Sequence, residues 1–193
     1  MLGELYLELR RGAPAEKELK RALKLGAGQE ALKVPLGRAY LLQDQYQQFL
    51  EEINVGPNTS DLNASRILKL RGDAMIGLRK VREACDLYQQ ANTRDSRNPE
   101  AYWGLAVCAV ARQDMDAARG QLDAALKVDP KNDGTWAHIG ELEHARNNFK
   151  GAAEAYAEAI KLNPRNMEAL SGHAVLMLRD NKLGRAEDDL KKL

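Results

Sequence analysis

The sequence has few of the residues that usually carry chemistry. Its two cysteines, Cys85 and Cys108, form no metal-ligand spacing, and its three histidines lie in no metal-binding motif. No serine has the context of a nucleophile elbow, and the scattered glycines form no phosphate-binding loop. These absences argue against a metal site, a cofactor site and an enzyme active site. We expect both cysteines to be small buried packing residues rather than a disulfide.

Charge and hydropathy argue against two further classes of partner. The 29 basic and 28 acidic residues give a net charge of +1, which offers no basic footprint for nucleic acid or for an anionic membrane. No stretch approaches the roughly 20 apolar residues that a membrane-spanning helix needs. No signal peptide is visible, because Met1 already lies within the first of the repeated units described next.

What the sequence does contain is a repeat with a period of 34 residues. Apolar or small residues of the segment that begins at Pro99 recur, one period later, in the segment that ends at Asn166. The first set is Tyr102, Leu105, Ala106, Ala118, Leu122, Ala125 and Pro130, and the second is Trp136, Ile139, Gly140, Ala152, Tyr156, Ala159 and Pro164.

The spacing within one period predicts a helical hairpin. Apolar residues recur at helical intervals that are interrupted once in the middle and once at the end. Ala118 and Ala152 are small where the two helices of a hairpin would cross, and Asn98 and Asn166 are expected N-caps of first helices. One hairpin cannot bury its apolar face alone, so neighbouring hairpins must stack.

The same phase continues along the whole chain and predicts six units of one array: 1–29 (partial), 30–64, 65–98, 99–132, 133–166 and 167–193 (partial). We expect the sequence to be a fragment of a longer array, because its first and last units are incomplete. The second unit is the least regular. Pro35 should delay or kink its first helix, Phe49 should keep its helices apart, and the 54–60 segment should form a loop.

These residues resemble the tetratricopeptide repeat, whose signature is a W-x2-L-G-x2-Y pattern followed by A-x3-F and a terminal proline. The best match is Trp136, Ile139 and Gly140 with Ala152, Tyr156 and Pro164, and it departs from the signature at Glu143, where a tyrosine is usual. The resemblance implies an all-α fold, an α-solenoid of helix-turn-helix hairpins that forms a right-handed superhelix. It also implies that the first helix of each unit lines a concave groove that binds protein or peptide partners.

Position in the repeat then predicts which side chains face that groove. Trp103 is the most informative, because Tyr102 already fills the aromatic core position of its unit. Basic residues in such a set can equally form a solvated face, and Trp103 can equally cover a neighbouring helix. The Lys and Asn pattern with which some co-chaperones of this family hold a C-terminal carboxylate is absent. The candidates are Arg38, Arg66, Lys69, Asp73, Trp103, Val107, Val110, Glu141, His144, Ser171 and Arg179.

The order of segments has a closer resemblance. LGELYLELRRGAPAEKELKRALKLG, VPLGRAYLLQDQYQQFLEEI and RILKLRGDAMIGLRKVREACDLYQQA are similar to TPR lipoproteins of the bacterial PEP-CTERM/exosortase system. That resemblance implies a lipid-anchored periplasmic scaffold linked to exopolysaccharide export or protein sorting. The alternative is a cytoplasmic adaptor that binds a peptide or helix of a regulatory partner. We also expect weak end-to-end self-association through leucines of the terminal hairpins.

Overall fold

The computed structural model describes residues 2–192 and, within them, contains twelve α-helices and no strand. Every unit predicted from the repeat contributes two helices. The helices are α1 (Leu2–Glu8), α2 (Gly12–Lys24), α3 (Gln29–Leu41), α4 (Tyr46–Glu52), α5 (Asp61–Gly77), α6 (Val81–Arg94), α7 (Pro99–Ala111), α8 (Met115–Val128), α9 (Asp133–Ala145), α10 (Phe149–Leu162), α11 (Met167–Arg179) and α12 (Leu183–Leu190).

The chain divides into two compact units, 1–104 and 105–193, whose boundary falls within α7. In unit 1, α1 pairs with α2, α3 with α4 and α5 with α6, while the first helices pack in the order α1, α3, α5. In unit 2, α9 pairs with α10 and α11 with α12, and α9 also packs against α8 and α11. The predicted α-solenoid of helical hairpins is confirmed. The single array, its unit boundaries and the handedness of a superhelix stay predictions.

Each hairpin turn places one residue in the left-handed region of backbone space. These residues are spaced by 34 or 35 positions, and none is a glycine: Arg10, Asp44, Arg79, Gln113, Asn147 and Asn181 have φ between 51° and 62°. The next residue donates its backbone N–H to a carbonyl five positions earlier, as in Lys80 to Met75 and Asn148 to Glu143, both at 2.8 Å. This bond satisfies a carbonyl that the helix end leaves without a partner.

The second repeat departs from the predictions at one point. Of the two alternatives predicted for α3, the late start is wrong, because the helix begins at Gln29 and continues through Pro35. A kink at Pro35 stays a prediction. Phe49 is fully buried, and a Cβ atom on Gly37 would lie 2.7 Å from its ring. Gly37 therefore makes room for the large side chain that replaces the usual alanine. The predicted loop is confirmed between α4 and α5, and it ends at Ser60, which caps α5.

The predicted caps are confirmed, and the two alanines predicted at helix crossings are buried. Asn166 accepts a hydrogen bond from the backbone N–H of Ala169 at 2.8 Å, and Asn98 accepts one from Glu100 at 3.2 Å. Ala118 and Ala152 have no exposed surface. None of the helices between residues 2 and 192 has the length and apolar character that a membrane span requires.

Candidate interaction surface

The first helices of unit 1 carry a network of charged side chains. Arg38 on α3 donates from Nη2 to Oε1 of Glu100 at 2.9 Å, and Lys69 on α5 donates from Nζ to Oδ2 of Asp73 at 2.9 Å. These two pairs balance two cations with two anions. The pair of Arg38 and Glu100 also connects α3 with the first turn of α7, so it joins side chains from separate repeats.

Lys69 is the most enclosed cation of this network. Burial lowers the pKa of its ammonium, but the nearby carboxylates of Asp73 and Glu100 outweigh that effect, so the pKa of Lys69 lies above its usual value. Its Nζ also lies 5.6 Å from the centre of the Trp103 ring, within the range of a cation–π contact. Lys69 is therefore a charged group at neutral pH, held between a carboxylate and an indole.

Asp73 links this surface to the second helix of its own hairpin. Its Oδ1 accepts a hydrogen bond from the hydroxyl of Tyr88 on α6 at 2.9 Å. Burial of Tyr88, and then the charge of Asp73, raise the pKa of the phenol. The carboxylate of Asp73 thus accepts hydrogen bonds from Lys69 and Tyr88, and these two bonds hold it in place within the hairpin.

Arg66 differs from its neighbours. It lies one turn before Lys69 on the same side of α5, because residues three apart share a helix face. Its Nε atom is buried and has no hydrogen-bond partner. Among residues 2–192 its guanidinium forms no hydrogen bond and no ion pair. The side chain as a whole is half-buried.

Trp103 lies beside this network. Its side chain is half-buried, because Lys69 lies over its ring and it has other interactions as well. Tyr102, the neighbouring aromatic, is also half-buried and donates its hydroxyl to the carbonyl of Ser96 at 3.1 Å. The Trp103 side chain is therefore packed against Lys69 while part of its surface stays accessible to solvent.

Unit 2 leaves apolar side chains exposed at two equivalent positions of its first helices. Val107 and Val110 on α7 are 42% and 39% exposed, and Val175 and Leu178, which lie 68 residues later on α11, are 53% and 49% exposed. The predicted candidate Ser171 precedes Val175 by one turn and is exposed as well. Single exposed apolar residues are common on protein surfaces, but a pair that recurs at the same place in two repeats indicates an interaction surface.

Side chains from α9, α10 and the end of α11 meet in the same unit. The guanidinium of Arg179 lies 3.4 Å from the centre of the Phe149 ring, and His144 meets that ring edge-on at 5.6 Å between centroids. The structure thus brings together two predicted residues, Arg179 and His144, through Phe149, which the sequence reasoning did not select. Glu141, one turn before His144 on α9, is exposed and lies 2.9 Å from the ring nitrogen of His138.

Two buried polar pairs in unit 2 are structural. Glu143, which occupies the usual tyrosine position, accepts from Arg119 at 2.9 Å and from Asn148 at 2.7 Å. His173 pairs with Asp189 at 2.6 Å and so ties α11 to α12.

The cysteine expectation is wrong. Cys85 and Cys108 are both disulfide-bonded, and the part of the chain that the structure describes has no free thiol. Cys108 is buried, as predicted for a packing residue, whereas Cys85 is only half-buried. Sequence spacing could not reveal this state, because a disulfide depends on where the fold places two sulfur atoms. No cluster of metal-binding side chains occurs between residues 2 and 192.

Comparison with known proteins agrees with the repeat geometry. Two family models, each described as a tetratricopeptide repeat, match residues 76–138 and 139–193 and together cover more than half of the chain. The chain therefore belongs to the tetratricopeptide repeat family. Proteins of this fold generally act as non-catalytic scaffolds that present an extended binding surface to protein or peptide partners.

Solved structures share the fold at low identity. The tetratricopeptide repeat protein TTC0263 of Thermus thermophilus is similar with a TM-score of 0.73 and 18% identity, over 92% of this chain and 96% of that one. YrrB, described as a TPR protein with an unusual peptide-binding site, is similar with a TM-score of 0.51 and 19% identity, over 87% of this chain and 86% of that one.

Curated relatives match only in part. A probable UDP-N-acetylglucosamine–peptide N-acetylglucosaminyltransferase, SPINDLY of Hordeum vulgare, is 30% identical over 139 residues, which are 69% of this chain and 14% of that protein. The chain spans between 14% and 32% of the length of the first curated relatives that it matches. The similarity therefore concerns the repeats that these proteins share.

Proposed function

We propose that this protein is a non-catalytic scaffold that binds a polypeptide partner along the first helices of its repeats. The observation that carries the proposal is the exposed apolar pair that recurs on α7 (Val107, Val110) and on α11 (Val175, Leu178). Arg179 on α11 and Glu141 on α9 are exposed polar residues of first helices in the same unit, and interaction surfaces combine such apolar and polar side chains. YrrB, with its peptide-binding site, is a precedent for this fold.

Site-specific photo-crosslinking in the cells that produce the protein tests this proposal. A photoreactive residue at Val175 or Val107 should give a discrete adduct with a partner polypeptide. The matched control is Val128 at the end of the second helix α8, which is 37% exposed and should give none. Introducing Leu178→Lys should abolish the Val175 adduct. Adducts that form at Val128 but at neither first-helix position would overturn the proposal.

We propose further that the scaffold works in the bacterial envelope, as its resemblance to PEP-CTERM lipoproteins implies. The disulfide-bonded state of Cys85 and Cys108 supports this compartment, because disulfides persist in the periplasm and are rare in the cytosol. In a periplasmic lipoprotein the apolar pairs would hold a component of exopolysaccharide export or protein sorting. The alternative is a cytoplasmic adaptor for a regulatory partner.

Cell fractionation with thiol trapping separates these two locations. The full-length protein should sediment with the membranes, and an alkylating reagent added before lysis should leave both cysteines unmodified until a reductant is supplied. A soluble protein with two alkylated thiols would instead identify the cytoplasmic adaptor.

A further inference from the structure

The second helices, one in each hairpin, differ in charge. Helix α2 has four basic and two acidic residues, a net charge of +2. The other second helices are neutral in the case of α6, α8 and α10 and carry −2 in the case of α4 and α12. The net charge of +1 for the whole chain thus conceals one basic helix, so it does not exclude an anionic membrane as a partner of α2.

The basic residues of α2 lie on the side of the helix that faces away from the core. Lys17, Arg21 and Lys24 are spaced by four and three residues, which places them on one face, and all three are exposed. Ala15 and Leu19, on the opposite face, have no exposed surface. Packing of α2 into its hairpin therefore leaves a row of cations open to solvent.

Lys17 has the opposite charge from most residues at its repeat position. The five corresponding residues in the later repeats are also exposed, and four of them are acidic: Glu51, Asp86, Glu154 and Asp188. Packing within the repeat does not require a cation at this position, because acidic residues serve there in the other hairpins. The lysine in α2 is therefore a property of the surface of the first hairpin alone.

Two of the four cations on α2 have no acidic partner. Lys20 and Arg21 pair with glutamates of the same helix at 2.7 and 3.7 Å. Lys17 and Lys24 form no ion pair with any residue in the part of the chain that the structure describes. The uncompensated charge of α2 is therefore carried by two exposed lysines about 10 Å apart along the helix.

An exposed apolar side chain ends this basic row. Leu25, directly after Lys24, is 79% exposed, more than any other large apolar side chain described. It lies one turn beyond Arg21 and so projects from the same side of the helix. A Cβ atom on Gly26 or Gly28, in the turn that follows, would meet nothing within 4 Å. This turn therefore leaves room for the end of α2 to approach a flat surface.

We propose that the outer face of α2, formed by Lys17, Arg21, Lys24 and Leu25, binds an anionic lipid bilayer. The lipid phosphates attract the cations, and Leu25 enters the boundary between the headgroups and the acyl chains. Nucleic acid is the less suitable polyanion, because α2 has no aromatic residue to stack on bases and a phosphate backbone has no apolar layer for Leu25. This contact goes beyond the scaffold function, whose partner binds first helices.

Cosedimentation of the whole chain with vesicles tests the proposal. Vesicles of equal parts phosphatidylcholine and phosphatidylglycerol should bind the protein at low ionic strength, and vesicles of phosphatidylcholine alone should not. The double variant Lys17→Gln, Lys24→Gln should lower the partition constant about 25-fold, because each lysine near an anionic surface contributes about fivefold. The matched control, Lys150→Gln with Lys161→Gln on α10, removes the same charge from two exposed lysines and should leave binding unchanged.

Two further variants separate the contributions of charge and apolar burial. Leu25→Ser should weaken vesicle binding about tenfold without changing its dependence on salt, because it removes an apolar contact and no charge. Lys17→Arg with Lys24→Arg keeps both charges and should bind as the parent protein does. Since all these side chains are exposed, the thermal midpoints measured by circular dichroism should stay at the parent value.

Three outcomes would overturn the proposal. One is equal sedimentation, or none, with both kinds of vesicle, and the second is an equal loss of binding in the α2 and α10 double variants. The third is binding of duplex DNA that the α2 double variant weakens, while Leu25→Ser leaves vesicle binding unchanged; it would assign the basic row to nucleic acid. The photo-crosslinks at Val107 and Val175 come from first helices of unit 2. If they persist while vesicles fail to bind, only the membrane proposal is lost.

Discussion

The ring of Tyr156 on α10 lies directly against the backbone of Gly140 on α9. A Cβ atom on Gly140 would stand 2.5 Å from Cδ1 and Cε1 of the ring, which is closer than real contacts allow. Gly172 on α11 contacts the other end of the same ring, with its would-be Cβ atom 2.3 Å from Cζ. Tyr156 thus fills the space between two first helices because both present glycine there.

Gly140→Ala should therefore lower the free energy of unfolding by about 1–3 kcal/mol through overpacking. Gly120→Ala is the matched control, because nothing lies within 4 Å of a Cβ atom at that position of α8. Alanine there should raise stability by about 0.5–1 kcal/mol, as expected in a helix interior. Urea titrations followed by circular dichroism would measure both, and equal effects of the two substitutions would contradict the packing argument.

Arg71→Leu should destabilise the protein although leucine is the usual residue at this repeat position. Nη1 of Arg71 lies 2.9 Å from the carbonyl oxygens of Leu50 and Ile53 and from Oδ1 of Asn54. Leu50 is in the last turn of α4, and Ile53 and Asn54 directly follow that helix. Leucine would leave these acceptors without their donor, at a cost of about 1–3 kcal/mol. The same substitution at the exposed Arg82 should be nearly neutral. If both variants melt at the same temperature, Arg71 does not hold the end of α4.

Alkaline pH should unfold the protein partly through Tyr156. Burial, helped by the nearby charge of Glu141, raises the pKa of Tyr156 from 10.0 to about 12. A group whose pKa is higher in the folded state stabilises the fold below its unfolded pKa and loses that contribution as pH rises through its folded pKa. Stability should thus fall between pH 10 and about pH 12. Tyr156→Phe should flatten this part of the stability curve measured by urea titration, and an unchanged slope would assign the loss to other groups.

The repeat period predicted much of this fold, because small residues at crossings and large residues beside them follow directly from helix packing. The period did not predict Gly104 and Gly172, which accommodate Tyr88 and Tyr156 from the preceding repeat. The two glycines lie 68 residues apart, which is two periods, so the sequence did contain a sign of them. They were missed because each contacts a tyrosine of the preceding repeat, whereas the sequence analysis considered contacts within one repeat. Left-handed turn residues such as Arg79 were missed because the usual marker, glycine, is absent.

The candidate surface was less predictable than the fold. The contact between Lys69 and Asp73 follows from a four-residue spacing on one helix. The pair of Arg38 and Glu100 joins residues 62 positions apart and depends on how α3 and α7 are placed. Which cation stays unpaired is decided only after all such pairs have formed. Arg66 could therefore be selected from the sequence as a surface residue but not distinguished from its neighbours.

Weak self-association is expected from the outermost hairpins described. Leu2 and Leu5 on α1 and Leu183 and Leu190 on α12 are each about half exposed, as predicted. Clusters of exposed apolar side chains favour contact between copies. Sedimentation velocity should show association that rises with concentration and weakens when Leu183 and Leu190 are both changed to lysine. A strict monomer at every concentration would exclude it.

Trp103→Ala should affect binding more than folding. The indole is half-buried and lies under Lys69, so its removal takes away both an aromatic contact for the partner and the cation–π contact that holds the lysine in place. We expect a loss of about 2 kcal/mol in affinity for the partner captured by crosslinking, as for aromatic anchors in other interfaces.

The control for this prediction is Trp136→Ala, because Trp136 packs against the hydrophobic core of unit 2 and donates its indole N–H to the carbonyl of Pro130 at 3.3 Å. That variant should lower the thermal midpoint more than Trp103→Ala does and leave the affinity of the folded protein unchanged. Calorimetric binding and thermal melting on both variants give the comparison. If Trp103→Ala destabilises the fold strongly while the affinity stays the same, Trp103 belongs to the packed interior, and the binding surface must be sought among the exposed apolar pairs of unit 2.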